Sequence, residues 1–266
     1  MRIGLCLSGG GTRGIFHIGV LQALEEYDIK PDIVAGSSAG ALVGSFFCAG
    51  ISAKEMLNVA LSTSWFHFFK PKLPINGLTG LHYLGDLVKK HIPHNSFDKL
   101  KIPLRITATN LNTGLLEVFE SGELSRPIRA SCSVPMLFKP VMIGTQMYLD
   151  GGILMNLPAT LLRNSCDFLI GSSLFPLCEM DKKQLSGYIP LMSRCLELSV
   201  NSNSAYQKQK CDLLIETDDL SKYGRFDFKS SNQVYQLGYE TASRILSQAD
   251  ILSYLKDDSL QLNQGK

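Results

Sequence analysis

Two glycine-rich strings, one helix apart, set the tightest limit on what this chain can fold into. They are Gly9-Gly10-Gly11-Thr12-Arg13-Gly14 and Gly36-Ser37-Ser38-Ala39-Gly40. Each follows a short apolar run and precedes a stretch with helical spacing, so each reads as a strand-to-helix turn. Residues 2–8 form a buried strand, and Ile15 to Tyr27 set Ile18, Leu21 and Leu24 on one helical face, away from Gln22, Glu25 and Glu26. Asp32–Ala35 is a second strand, and Ala39 to Ala49 is a helix too apolar for a surface. Strand, helix, strand, helix in the first fifty residues implies an α/β class with a parallel sheet covered on both faces.

Bulk properties narrow the function classes. The 266 residues are 45% apolar and 19% charged, enough for a large core and against disorder. A formal charge of +2 with no basic run argues against nucleic acid as a partner. Seven cysteines, an odd number without a Cys-x-x-Cys pair, predict free thiols rather than disulfides or zinc, and Cys6 and Cys48 lie in apolar segments. The first apolar run is too short for a secretory h-region and no Asn-x-Ser/Thr acceptor occurs, so a cytoplasmic protein is expected. Ile33 to Ala53 is uncharged and about as long as a membrane span. Its four glycines and four serines instead suit a strand, a sharp turn and a buried helix.

Further on, Ala53–Leu61 and Leu81–Ile92 read as helices around an aromatic, basic stretch, and residues 62–95 are a candidate cap. Pro103–Leu111 and Leu115–Ser121 are predicted strands joined by Asn112-Thr113-Gly114 as a hairpin. A short helix over Leu124–Ala130 precedes one strand running into Leu149-Asp150-Gly151-Gly152. Phe168–Ser172 and Asp212–Thr217 are strands, and Pro190–Gln209 is a helix with Met192, Leu196 and Val200 in register. Val234, Leu237, Ile245, Ala249 and Leu252 mark a closing helix. With no repeat or linker, residues 1–266 are expected to form a single domain.

Ser38 is the candidate nucleophile. In Gly-x-Ser-x-Gly the turn is strained and neighbouring backbone passes close by, which demands small residues at Gly36 and Gly40. Gly171-Ser172-Ser173 also follows a strand but lacks the closing glycine. Gly9, Gly11 and Gly14 satisfy a dinucleotide fingerprint, yet that fold wants an acidic residue ending the second strand, where this chain has the serine elbow. The loop then reads as an oxyanion hole, with the Gly10 and Gly11 amides as leading donors and Gly9 and Thr12 beside them. Arg13 either braces the loop or meets an anionic head group. An ordinary α/β-hydrolase would need a histidine late in the chain, but His17, His67, His82, His91 and His94 are the only five. Asp150 is the candidate base. It is the only aspartate followed by glycine, it ends an apolar strand, and Gly151-Gly152 admits a close approach. A type I′ turn is the competing explanation for that Asp-Gly pair.

Taken together, these strings resemble the patatin-like phospholipases: Gly-Gly-Gly-x-Arg-Gly at 9–14, Gly-Ser-Ser-Ala-Gly at 36–40 and Asp-Gly-Gly at 150–152, in the family's order. Ala108 to Gly114, Ala130-Ser131 through Pro140, and His17 to Leu21 look similar too, so the likeness covers at least residues 3–160. Ser133 departs from a commoner alanine. The resemblance implies a three-layer α/β/α domain with a mainly parallel sheet, and a Ser38–Asp150 dyad that hydrolyses lipid acyl esters without metal or cofactor. A carboxylate near ~3.9 is a weak base toward a hydroxyl near ~15.7, so Asp150 is expected to be partly desolvated, which raises its pKa. Acyl transfer by the same dyad, or lipid binding without catalysis, are the rival functions. Trp65, Phe66, Phe68 and Phe69, interleaved with lysines, are a candidate peripheral membrane contact.

Overall fold

Ile3–Leu7 (β1) and Ile33–Ser37 (β2) are buried along almost their whole length, which requires packing on both faces. The computed structural model, which describes residues 1–63, 81–225 and 227–248, supplies both faces. Leu5, Leu7 and Val34 point into the main core, whereas Cys6, Ile33 and Ala35 point to a smaller one under Leu157, Ala159 and Leu162. Strand periodicity of two divides the layers here.

The remaining strands are Leu104–Asn110 (β3), Leu116–Phe119 (β4), Val141–Ile143 (β5), Gln146–Asp150 (β6), Phe168–Ser172 (β7) and Leu213–Ile215 (β8). They order as β5-β6-β3-β2-β1-β7-β8, with β4 also on β3. The pairs β2–β3, β1–β2, β1–β7 and β7–β8 are parallel, and β3–β4, β3–β6 and β5–β6 are antiparallel. The class is α/β with a mainly parallel centre and an antiparallel edge.

Seven helices accompany the sheet in the described residues: Ile15–Glu26 (α1), Ala39–Cys48 (α2), Ala53–Ser62 (α3), His82–His91 (α4), Ser125–Ser131 (α5), Tyr188–Lys208 (α6) and Ser231–Leu246 (α7). The fully buried Phe16, Leu21 and Leu24 anchor α1, each contributing about 1.5–3 kcal/mol by leaving water. Against α7, α1 crosses at two glycines. A Cβ on Gly19 would lie 2.1 Å from the Tyr235 carbonyl oxygen, and one on Gly238 would lie 2.2 Å from that of Phe16. This crossing pulls the C-terminal helix over the first βα unit.

Most predicted elements appear within a residue or two of their expected limits. Two expectations are corrected. The single strand expected before Asp150 is a β5–β6 hairpin that turns at Gly144, whose φ is +59°. The apolar register expected for α6 holds only in part, with Leu196 half-buried. Val200 is buried, but Met192 is exposed, and the other buried residues are Glu197, Ser204 and Gln207. Tyr188, Ile189 and Leu191 also face solvent. All seven cysteines are free. No helix among the described residues is long and apolar enough to cross a membrane. Trp65, Phe66, Phe68 and Phe69, most of the candidate cap, and the Ala249–Leu252 part of the closing helix lie outside the described residues.

Because the α1–α7 crossing has no room for a methyl group against backbone, Gly238→Ala should cost about 1–3 kcal/mol. Urea unfolding should show a lower midpoint at an unchanged m-value.

Candidate active site

Between β2 and α2 the backbone turns sharply at Ser38, which has φ 51° and ψ −121°. A non-glycine residue there is strained, and it persists only where its surroundings over-determine it. Here the Ser38 N–H donates to Ser131 Oγ at 2.7 Å, while its carbonyl accepts from the Leu42 N–H at 3.1 Å and from Cys132 Sγ at 3.3 Å. A Cβ on Gly40 would meet the Leu7 carbonyl, and one on Gly36 would sit 2.5 Å from the Gly40 oxygen. These clashes explain why the elbow needs glycine at both positions. Ser38 is consequently held at the carboxyl end of β2, where open α/β sheets place their ligands.

Asp150 is the last residue of β6 and sits opposite Ala108 of β3. Its N–H donates to the Ser133 carbonyl at 3.0 Å, and its own carbonyl accepts from Thr109 Oγ1 at 2.9 Å. The residue is 6% exposed; its carboxylate accepts from the Gly152 N–H at 2.8 Å, and the Ser38 hydroxyl is the side-chain group that favours its ionised form. Removal from water pushes the Asp150 pKa up to about 6, against the opposing pull of those two groups. The Asp-Gly pair does not make a hairpin turn. It opens a short 3₁₀ turn, Gly151–Ile153, and a Cβ on Gly151 would be driven into Thr107.

The glycine loop divides into tied and open amides. Gly9 N–H donates to the Asn156 carbonyl at 3.2 Å, and Thr12 N–H to the Arg225 carbonyl at 3.0 Å. The Gly10 and Gly11 amides have no acceptor among the described residues, and Gly11 holds φ +63°. Arg13 is 7% exposed and donates to the carbonyls of Tyr223 (2.8 Å) and Leu174 (3.3 Å), so it braces the loop. Gly14 lets α1 start against the Ala39 side chain of the elbow helix.

Several supporting residues carried no clear signal in the sequence. His17 is fully buried, with Nε2 2.9 Å from the Ser8 carbonyl oxygen and Nδ1 2.8 Å from Ser172 Oγ. A carbonyl can only accept, so Nε2 carries the hydrogen and Nδ1 accepts from the serine. Burial lowers the His17 pKa to about 4, and the ring stays neutral. The serine of the incomplete Gly171-Ser172-Ser173 string is therefore a strut for this histidine. At the end of α5, Ser131 and Ser133 hold Ser38 and Asp150 respectively. Beside Ser38 opens an apolar cavity of about 150 Å³, lined by Leu42, Phe46, Met56, Val59, Leu84 and Phe138 among others.

A serine on a strand-to-helix elbow, a carboxylate from β6, one strand removed from β2, and a loop of open amides form the arrangement expected of an α/β acyl-transfer site. Comparison with known proteins gives the family. The patatin-like phospholipase profile matches residues 5–163, more than half of the chain, and the chain belongs to that family. The lysophospholipase NTE1 of Mycosarcoma maydis is 33% identical over 168 residues, 61% of this chain and 9% of the relative. That of Scheffersomyces stipitis is 25% identical over 276 residues, 92% of this chain and 18% of the relative. The chain thus spans under a fifth of the length of these relatives. The crystal structure of VipD from Legionella pneumophila shares the fold, with a TM-score of 0.52 at 17% identity over 92% of this chain and 66% of VipD.

Asp150 carries a stability consequence with a definite sign. Its pKa in the folded chain, about 6, exceeds the ordinary 3.8, so the folded state binds the extra proton between those values. The stability associated with that proton is fully present below about pH 4 and lost as pH rises through 6. Asp150→Asn should therefore raise Tm at pH 7.5, by an amount corresponding to at most about 3 kcal/mol. The gain should vanish near pH 4 in paired thermal melts.

Proposed function

We propose that this chain hydrolyses carboxylic ester bonds of lipids, with Ser38 as nucleophile, Asp150 as general base and the Gly10 and Gly11 amides as oxyanion donors. The observation that carries the reading is a carboxylate withdrawn from water with the Ser38 side chain acting on it. In the acylation step, Ser38 Oγ attacks the ester carbonyl carbon while its proton moves to Asp150. The carbonyl oxygen takes up the negative charge, and the alcohol leaves with the proton returned by Asp150. Water then attacks the acyl-serine, Asp150 again takes the proton, and the fatty acid departs from a regenerated hydroxyl.

Magnitudes decide how the proton moves. With Asp150 at about 6, the gap to a serine hydroxyl near ~15.7 is about 10 units, or roughly 13 kcal/mol. A free alkoxide is excluded by that cost, so attack and proton transfer are concerted. Raising the carboxyl pKa from 3.8 to about 6 recovers about 3 kcal/mol, and one oxyanion donor typically adds ~3–4 kcal/mol.

For the substrate, the cavity beside Ser38 has the apolar lining that an acyl chain requires, in line with a lipid ester. The NTE1 relatives are named lysophospholipases, and we extend that substrate class to this chain: a glycerophospholipid carrying one acyl chain.

The test is turnover of lysophosphatidylcholine and of a fluorogenic acyl ester, with fluorophosphonate labelling of the serine. Ser38→Ala should abolish labelling and lower kcat by about 10³-fold or more, and Asp150→Asn should approach that loss. Because the base must be ionised, kcat/KM should rise with pH through a limb centred near 6. Labelling that survives Ser38→Ala would overturn the assignment of the nucleophile, undiminished turnover by Asp150→Asn that of the base, and a limb near ~4 the desolvation of its carboxyl group.

A further inference from the structure

We infer that Asn203, on α6 and outside the segment that matches the family, is a positioning residue that locks the base-bearing turn to the oxyanion loop. Its side chain uses both of its N–H donors and its carbonyl oxygen on the base-bearing turn and on Asn156. Nδ2 donates to the carbonyls of Gly152 at 3.0 Å and Ile153 at 3.1 Å, and Oδ1 accepts from the Asn156 N–H at 3.2 Å. The donor end meets two carbonyls and the acceptor end meets an amide, so only one orientation of the side-chain amide serves all three.

Each of these contacts leads one bond further into the site. Gly152 is the residue whose N–H holds Asp150 Oδ1. Asn156 is the residue whose carbonyl accepts from Gly9, the first glycine of the loop that carries the open amides. Around Gly9 there is no slack: a Cβ there would lie 2.5 Å from Asn156 Oδ1 and 2.9 Å from the Ser38 Cβ. One half-buried amide therefore fixes two backbone segments, and through them the separation of base, nucleophile and oxyanion donors. The Gly151–Ile153 turn has left the sheet, and its own backbone ties are the Leu154 and Met155 N–H groups donating to the Gly151 carbonyl, which leave the Gly152 and Ile153 carbonyls to Asn203. Elsewhere α6 adds polar contacts of the same kind, such as Gln207 Oε1 accepting from the Thr160 N–H at 2.9 Å.

This inference rests on the hydrolase reading above, and the experiment separates the two. Asn203→Ala and the near-isosteric Asn203→Leu, both uncharged, are compared with wild type on a fluorogenic acyl ester. Rates are normalised to fluorophosphonate-labelled serine, so an unfolded fraction does not count. Both variants should lose about tenfold to a hundredfold in kcat with KM changed less than twofold, as expected for misplaced reacting groups. The acid limb of kcat/KM should also move to higher pH, because a loosened Gly152 N–H no longer favours the ionised carboxylate. The other titratable groups nearby do not confuse that limb: His17 lies at about 4, and burial raises Cys132 well above its ordinary value. Asn201→Ala, on the same helix, should match wild type. A wild-type kcat per labelled serine and an unmoved limb in both Asn203 variants would overturn the positioning role. A wild-type protein that neither labels nor turns over would overturn the hydrolase reading instead.

Discussion

A carboxylate taken out of water is the constraint around which the rest of this structure is arranged. Two groups offset part of the burial of Asp150, and both belong to the site itself: the Gly152 N–H, which donates to the carboxylate, and the Ser38 side chain. Any movement of β6 relative to the elbow would leave the charge with fewer donors in a poorly solvating environment, where an unpaired ion is costly. The geometry that suits proton transfer is thus the same geometry that keeps the folded chain from an uncompensated charge. The antiparallel edge has a corresponding purpose. The pairings of β3 with both β2 and β6 bring residues far apart in the chain to one end of the sheet.

The glycine loop answers a complementary problem. Backbone amides are obligatory donors, and a folded chain normally pairs them. This loop pairs the flanking Gly9 and Thr12 and leaves Gly10 and Gly11 open. On the proposed reading the two tied amides act as fixed ends, and the two with no acceptor among the described residues receive the charge of the reacting carbonyl oxygen. Preorganisation of this kind is where electrostatic stabilisation in acyl transfer comes from, because the donors need not reorient during the reaction. The ends are fixed by Asn156 and Arg225, so the loop depends on chain far downstream of it.

How much of this was legible in the residues follows from how local the physics is. The elbow is readable because its strain and close backbone contacts demand glycine at fixed offsets. Asp150 is readable from an absence of late histidines combined with its place before two glycines. The βα alternation of the first fifty residues is likewise a local pattern. The β5–β6 hairpin escaped because its first strand is only three residues long and a lone Gly144 is a weak turn mark. Nothing in the run Val200-Asn201-Ser202-Asn203-Ser204 distinguishes the asparagine that holds two turns from the one that holds none. Such roles depend on which backbone carbonyls a fold brings within 3 Å, and periodicity carries no trace of that.

The misreading of α6 has a physical reason with wider bearing. A helix with Met192, Leu196 and Val200 in register looks amphipathic, and burial of that stripe is the ordinary outcome. Here the sheet face on the α6 side already has its own cover, from Leu157 to Leu162, which leaves that helix little apolar surface to join. What it meets instead is a set of turns with backbone groups to satisfy. Glu197 pairs with Arg225 at 3.2 Å, whose carbonyl holds Thr12, while Asn203 holds Gly152 and Asn156. Apolar contacts tolerate sliding, since shape and volume matter more than registry. Hydrogen bonds fail within a fraction of an ångström or a few tens of degrees. A helix docked largely through polar atoms therefore specifies the position of the loops beneath it more sharply than a hydrophobic one could.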